Sequence, residues 1–135
     1  DFCRYCAVAL GYIMDHRRTS SLVFESTFMA GLPHVKTETE HHPGVRPIYH
    51  MDTLAGLGFM PTEWVNISDF FETKIKMLSQ HQSQVKWLKD HDNVDIIEFV
   101  TVAARYRGIQ AGVQYAEGFK RVLQWPRVSP ERLLP

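Results

Sequence analysis

The side chains able to do chemistry sit in a few short stretches, and each has a plain structural reading beside the chemical one. Cys3-Arg4-Tyr5-Cys6 has the spacing of half a zinc site or of a redox pair. A structural zinc needs four ligands and no second cysteine pair exists, so reduced, inert thiols are the better reading. His41-His42 lies beside Glu38 and Glu40. Such a cluster binds metal adventitiously, but its polarity marks a solvated loop. His50 falls at the end of a strand-like segment, where open α/β sheets gather pocket residues. It is a candidate substrate contact, weighed against a partly buried histidine with its hydrogen bonds satisfied. Asp15 reads as a helix N-cap and His16 as a first-turn residue. Tyr115 reads as a core ring, and Glu117 as an ion-pair partner of Arg105 or Arg107.

The elements that must position these residues follow from pattern. The passage Trp64-Val65-Asn66-Ile67-Ser68-Asp69-Phe70-Phe71-Glu72 reads as a half-buried strand running into a capped helix. Ser68 or Asp69 supplies the cap, and Phe71, Ile75 and Leu78 form one apolar face. Upstream, a helix over 17–30 is expected to start behind Asp15, with Leu22, Val23, Ser26 and Met29 at helical spacing. Gly31 and Pro33 end it. A polar loop over 34–44 leads to a strand over 46–51, and Gly56, Gly58 and Pro61 mark the next loop. Helical character from Gln84 to Lys89, a turn at 90–93 and a long helix over 95–111 come next. The expected stripe of that helix is Ile96, Phe99, Val100, Ala103 and Tyr106. Gly108 and Gly112 either end it or allow close backbone approach. A short strand within 113–122 closes the pattern. Phe70, Trp64 and Trp87 are assigned to packing along with Phe71 and Phe99. Alternating helices and strands imply an α/β class, and the strand at Val65–Ile67 argues against a small all-helical interaction module.

Several of these stretches, in this order, resemble the LmbE/PIG-L family of zinc-dependent de-N-acetylases. The resemblance rests on Val65-Asn66-Ile67-Ser68-Asp69 with Glu72 and Lys74, on Ser83-Gln84, and on Gly112-Val113-Gln114-Tyr115-Ala116-Glu117-Gly118-Phe119. Asp15-His16 resembles the end of the family's His-Pro-Asp-His motif, with Ile13 and Met14 in place of its first His and Pro. The family's Ala-His-Pro-Asp-Asp motif has no counterpart here, so the resemblance is to the C-terminal portion. It implies a Rossmann-like, three-layer α/β sandwich, incomplete at the N-terminus, with residues 1–135 as one domain. It also implies hydrolysis of an N-acetyl group on an N-acetylglucosaminyl conjugate. In that scheme His16 is a zinc ligand, Asp15 the acidic residue beside the metal, and Tyr115 a donor to the oxyanion. Glu117 contacts the sugar, and His50 stays the candidate substrate contact read from its strand end. A zinc site needs three protein ligands, and the resemblance leaves two of them unsupplied. The alternative it leaves open is a catalytically silent relative or fragment with a binding or assembly role. Family members commonly form homo-oligomers, and an incomplete sheet has an edge open to association.

Composition sets the outer limits. Fifteen lysines and arginines balance fifteen acidic residues. No basic excess favours nucleic acid, and no polybasic run favours an anionic membrane. No apolar run approaches the roughly 20 residues of a membrane span. The first residues show no secretory pattern, and a cytoplasmic location is expected.

Overall fold

The computed structural model describes residues 5–6, 13–44, 46–125 and 127. The chain forms two compact units, Asp1–Met51 with Phe119–Pro135, and Asp52–Gly118.

The first unit contains β1 (Tyr5–Cys6), α1 (Met14–Met29), β2 (Tyr49–Met51) and the end of β4 (Ala116–Arg121). β1 runs parallel to β2, pairing Tyr5 with Tyr49 and Cys6 with His50. β2 runs antiparallel to β4, pairing Tyr49 with Arg121, His50 with Lys120 and Met51 with Phe119. The amide of Val122 donates to the Ile48 carbonyl at 2.9 Å and carries the pairing past the strand ends. Ile48 and Val122 are the buried apolar pair on which Val23 and Phe24 pack. The helix therefore turns Ser20, Val23, Phe24 and Thr27 inward, a stripe at i, i+3, i+4 and i+7. The expected stripe is corrected: Val23 belongs to it, but Leu22, Ser26 and Met29 face out. Phe24 is the residue that reading passed over, because its ring is matched to a tertiary neighbour.

That neighbour is Arg127. Its guanidinium lies 4.8 Å from the Phe24 ring centroid. It donates to the carbonyls of Arg46 at 3.0 Å and Phe24 at 3.3 Å. Only 5% of the residue is exposed. One cation thus ties the chain after β4 to α1 and to the segment entering β2.

The second unit holds β3 (Glu63–Asn66), α2 (Phe71–Ser79), α3 (Gln82–Asp92), α4 (Ile96–Ala111) and the start of β4, next to which β3 lies. The turn from β3 into α2 is a single 3-10 turn over Ser68–Phe70. Neither Ser68 nor Asp69 caps α2. Instead Asn66 Oδ1 accepts from the amide and hydroxyl of Ser68, at 3.0 and 2.7 Å. Phe71 is buried, and Ile75 and Leu78 are half-buried on the same face, as the spacing predicts. Val65, Trp64, Phe70 and Trp87 are exposed, against the expectation of packed positions. α3 runs through Asp92, into the turn expected at 90–93, and ends on Asn93 in the left-handed conformation with φ of 53°.

α4 begins on Asp95, whose carboxylate accepts from the amides of Ile97 and Glu98 at 3.1 and 3.2 Å. It ends on Gly112 at φ of 70°. Its buried face is Ile96, Ala104, Arg107 and Gly108, with Val100 half-buried. Of the expected stripe, Phe99 and Tyr106 are exposed instead. The rotation has a steric cause at Gly108. A Cβ there would stand 2.6 Å from the Gln114 carbonyl and 2.7 Å from that of Val113. Only glycine lets the returning chain lie against the helix at this point, so this side of α4 must face inward.

Candidate functional site

Arg107 is the polar centre of the second unit. Its Nε donates to Asp52 Oδ2 at 2.5 Å. Its other nitrogens donate to Gln110 Oε1 at 2.9 Å and to the Phe59 carbonyl at 3.3 Å. The side chain is 5% exposed, and that of Asp52 is 20% exposed. Burying a guanidinium is costly unless its donors are met, and here a carboxylate, an amide and a carbonyl meet them. Gly56 and Gly118 pack against it, since a Cβ on either would come within 3.4 Å of a guanidinium nitrogen. The arrangement fixes the loop from Asp52 to Pro61 on α4. The role of Arg107 is structural, and its carboxylate partner is Asp52 rather than the expected Glu117.

Tyr115 and Glu117 sit on this same unit and share α2 as their backing. The Tyr115 ring stacks on Phe71 with centroids 3.8 Å apart and an interplanar angle of 7°. Arg105 lies over its other side at 6.0 Å. Ser68 and Tyr115 exchange contacts, the Ser68 hydroxyl meeting the Tyr115 amide at 3.2 Å, while the Ile67 amide donates to the Tyr115 carbonyl at 3.0 Å. Glu117 pairs with Lys74 at 2.5 Å, with both side chains about one-third exposed. The expected partners Arg105 and Arg107 are corrected: one donates to the Gln114 carbonyl, the other to Asp52. The Lys74–Glu117 pair lines an open groove of about 320 Å³ with Ile67, Phe70, Thr73 and Met77. The signal for it was present in sequence, in the Lys three residues after Phe71, but nothing local ties it to a residue 43 positions away.

Asp15, His16 and His50 lie in the first unit. Asp15 and His16 occupy the first turn of α1 and both are exposed. Ile13 stands at the N-cap position without a side-chain bond, and Asp15 Oδ1 accepts from the adjacent His16 amide at 2.9 Å. Asp15 as an N-cap is therefore corrected, the helix having started one residue before it. His50 is half-buried on β2. Its Nδ1 is buried without a hydrogen-bond partner among the described residues. Burial first, and the ammonium of Lys120 second, hold its imidazole below the ordinary histidine value. Histidine 42 is half-buried rather than solvated, and its Nε2 accepts from Arg46 Nε at 3.1 Å. Cys3 lies outside the described residues, and of Cys6 only the backbone is described.

Among the described residues no group of three His, Cys, Asp or Glu stands where it could hold a metal ion. Beside His16 the described residues offer one acidic neighbour, Asp15, where a catalytic zinc takes three protein ligands. Among the described residues no helix is long and apolar enough to cross a membrane.

No protein-family model matches the chain. Diacetylchitobiose deacetylase of Thermococcus kodakarensis is 30% identical over 113 residues, which are 80% of this chain and 39% of that protein. The chain thus spans about two-fifths of the length of this curated relative. A conserved protein of Thermus thermophilus, known from a crystal structure, superposes with a TM-score of 0.68 at 26% identity, over 94% of this chain and 56% of that one. The 4-carboxy-2-hydroxymuconate hydratase of Pseudomonas putida superposes with a TM-score of 0.63 at 20% identity, over 89% of this chain and 50% of that one. The chain, a mix of helices with a small, mainly antiparallel sheet, is similar in sequence to part of a deacetylase and shares its fold with about half of each solved structure.

Proposed function

We propose that this chain is the C-terminal portion of a de-N-acetylase-like hydrolase acting on an N-acetylated amino-sugar conjugate. The observation that carries the reading is the 30% identity to diacetylchitobiose deacetylase across 113 residues. The order of the motifs around Asn66, Ser68, Glu72 and Lys74, and of Tyr115-Ala116-Glu117, supports it. In this reading the fold is a Rossmann-like three-layer sandwich, and the substrate is a small sugar conjugate, with neither nucleic acid nor a membrane as partner. The reaction adds water across an amide and releases acetate and a free amine. The Tyr115 hydroxyl donates to the oxyanion that forms as water attacks, a contact worth several kcal/mol, of the order of 3. Stacking on Phe71 and the Arg105 side chain fix the ring for that task. Glu117 contacts sugar hydroxyls while Lys74 holds its carboxylate in place, and His50 is by itself a candidate sugar contact. His16 and Asp15 take the metal and acidic positions by resemblance. The described residues do not complete a zinc site, and no step is assigned to a metal.

A second reading keeps the fold without the chemistry. Ile13 stands where the resemblance places an acid-base histidine, and an isoleucine neither donates nor accepts a proton. A silent relative that binds or assembles fits that substitution.

The test is release of free amine, with acetate in equal amount, from diacetylchitobiose by the purified chain and by its His16→Ala variant. Release that the variant loses supports the hydrolase. No release, together with no binding of the disaccharide by calorimetry, overturns it in favour of the silent relative.

A further inference from the structure

A groove at the N-terminal part of α4 carries chemistry that the hydrolase reading does not use. Its volume is about 510 Å³. Small-molecule sites span roughly 300–1,000 Å³. Phe99, Val102, Ala103 and Tyr106 line it along α4 at i, i+3, i+4 and i+7. The Asp52–Pro61 loop, which Arg107 fixes, brings Ala55 to the same groove. Phe99 and Tyr106 are 37% and 55% exposed, so aromatic surface faces the opening. The charged residues of the lining are Asp95 and Glu98, both acidic. They are not equivalent. Asp95 accepts from the amides of Ile97 and Glu98 at 3.1 and 3.2 Å, and its Oδ2 stands 3.8 Å from Lys89 Nζ. The helix N-terminus and a lysine thus offset its charge. Glu98 has no ion pair among the described residues. The groove therefore holds one uncompensated carboxylate at one end of an apolar, aromatic lining.

We propose that this groove binds a small organic cation, an ammonium group carried on an apolar body. The ammonium pairs with Glu98 and rests on the face of Phe99, whose ring quadrupole attracts a cation. Tyr106 serves as apolar contact, because Arg107 already lies against its ring at 5.2 Å. From Glu98 to Tyr106 the helix rises about 12 Å, which sets the length of ligand the groove accommodates. The hydrocarbon part covers Val102, Ala103 and Ala55, and its burial favours binding whatever the charge. Charge then decides between ligands of one shape. A cation gains the Glu98 carboxylate, and a neutral analogue gains burial alone. An anion meets Glu98 with no lysine, arginine or histidine in the lining to offset it. The site is independent of the hydrolase reading, since neither Tyr115 nor Glu117 lines it.

The experiment titrates the isotope-labelled chain with three probes of one skeleton, 4-phenylbutylamine, 4-phenylbutanol and 4-phenylbutyrate, and follows the amide chemical shifts. The amine is expected to shift the amides of Ala55, Glu98, Phe99 and Ala103. It should bind about threefold to fivefold tighter than the alcohol, the scale of an exposed ion pair. The butyrate should bind more weakly than the alcohol. Glu98→Gln is expected to bring the amine down to the affinity of the alcohol and to leave the alcohol unchanged. Phe99→Leu should weaken the amine more than the alcohol. Both positions are exposed, and the amide spectrum of each variant reports its fold. Equal binding of the three probes overturns the proposal. So does an amine that fails to bind, that shifts only residues outside the groove, or whose affinity is indifferent to Glu98→Gln.

Discussion

Arg107 and Asp52, 55 positions apart in sequence, meet at 2.5 Å with the arginine almost fully enclosed. Asp52→Ala removes the carboxylate that Arg107 Nε meets while the guanidinium stays buried. The expected loss is about 3 kcal/mol, the scale for an uncompensated buried charge. Urea unfolding followed by circular dichroism would show the midpoint fall with the slope unchanged. Arg107→Lys is expected to lose about as much, because an ammonium cannot reach a carboxylate, an amide and a carbonyl in one plane.

Gly108→Ala forces a methyl group to within 2.6 Å of the Gln114 carbonyl. Helix propensity alone would favour alanine by about 1 kcal/mol. Steric conflict with fixed backbone outweighs this, and a net loss of roughly 1–3 kcal/mol is expected. A gain in thermal stability would show that the 113–114 segment yields without cost.

Arg127→Ala is expected to destabilise the first unit by about 2 kcal/mol, from two charge-assisted hydrogen bonds and the Phe24 stack. The lost fluorescence or amide-exchange protection should concentrate around Phe24 and Ile48. Uniform loss of protection throughout the chain would contradict that local assignment.

His50 makes stability fall in mild acid. Its native pKa is lowered by burial and by Lys120, from 6.5. The unfolded chain therefore binds the proton first as pH drops. The contribution is complete above the unfolded value and is lost progressively from about pH 6.5 down to the lowered native value. Unfolding free energies measured on either side of that window should differ, and His50→Gln should flatten the difference. An unchanged slope in the variant would assign the pH dependence to other groups.

Tyr115→Phe removes one hydroxyl and keeps the stack on Phe71. Folding stability should stay within about 1 kcal/mol, and amine release from diacetylchitobiose should drop at least tenfold in kcat, as for loss of an oxyanion donor. Equal activity in the variant would leave Tyr115 as packing alone.

What the sequence determined by itself was local. Phe71, Ile75 and Leu78 on one face, Asp95 at the head of α4, and Gly112 at its end follow from spacing and backbone preference, and all three are found in the structure. The motif order around Asn66, Ser68 and Tyr115 was equally legible, and the likeness to a deacetylase agrees with it. Only tertiary structure decided which side of α4 turns inward, since Gly108 meets Val113 and Gln114 through a fold-back that no periodicity encodes. It also chose Lys74 for Glu117 and Asp52 for Arg107, because ion pairs between distant residues depend on where the backbone brings them. It left Phe99, Tyr106 and Trp87 at the surface for the same reason. Hydrophobic side chains record a preference for burial, and the packing of neighbouring elements decides which of them receive it.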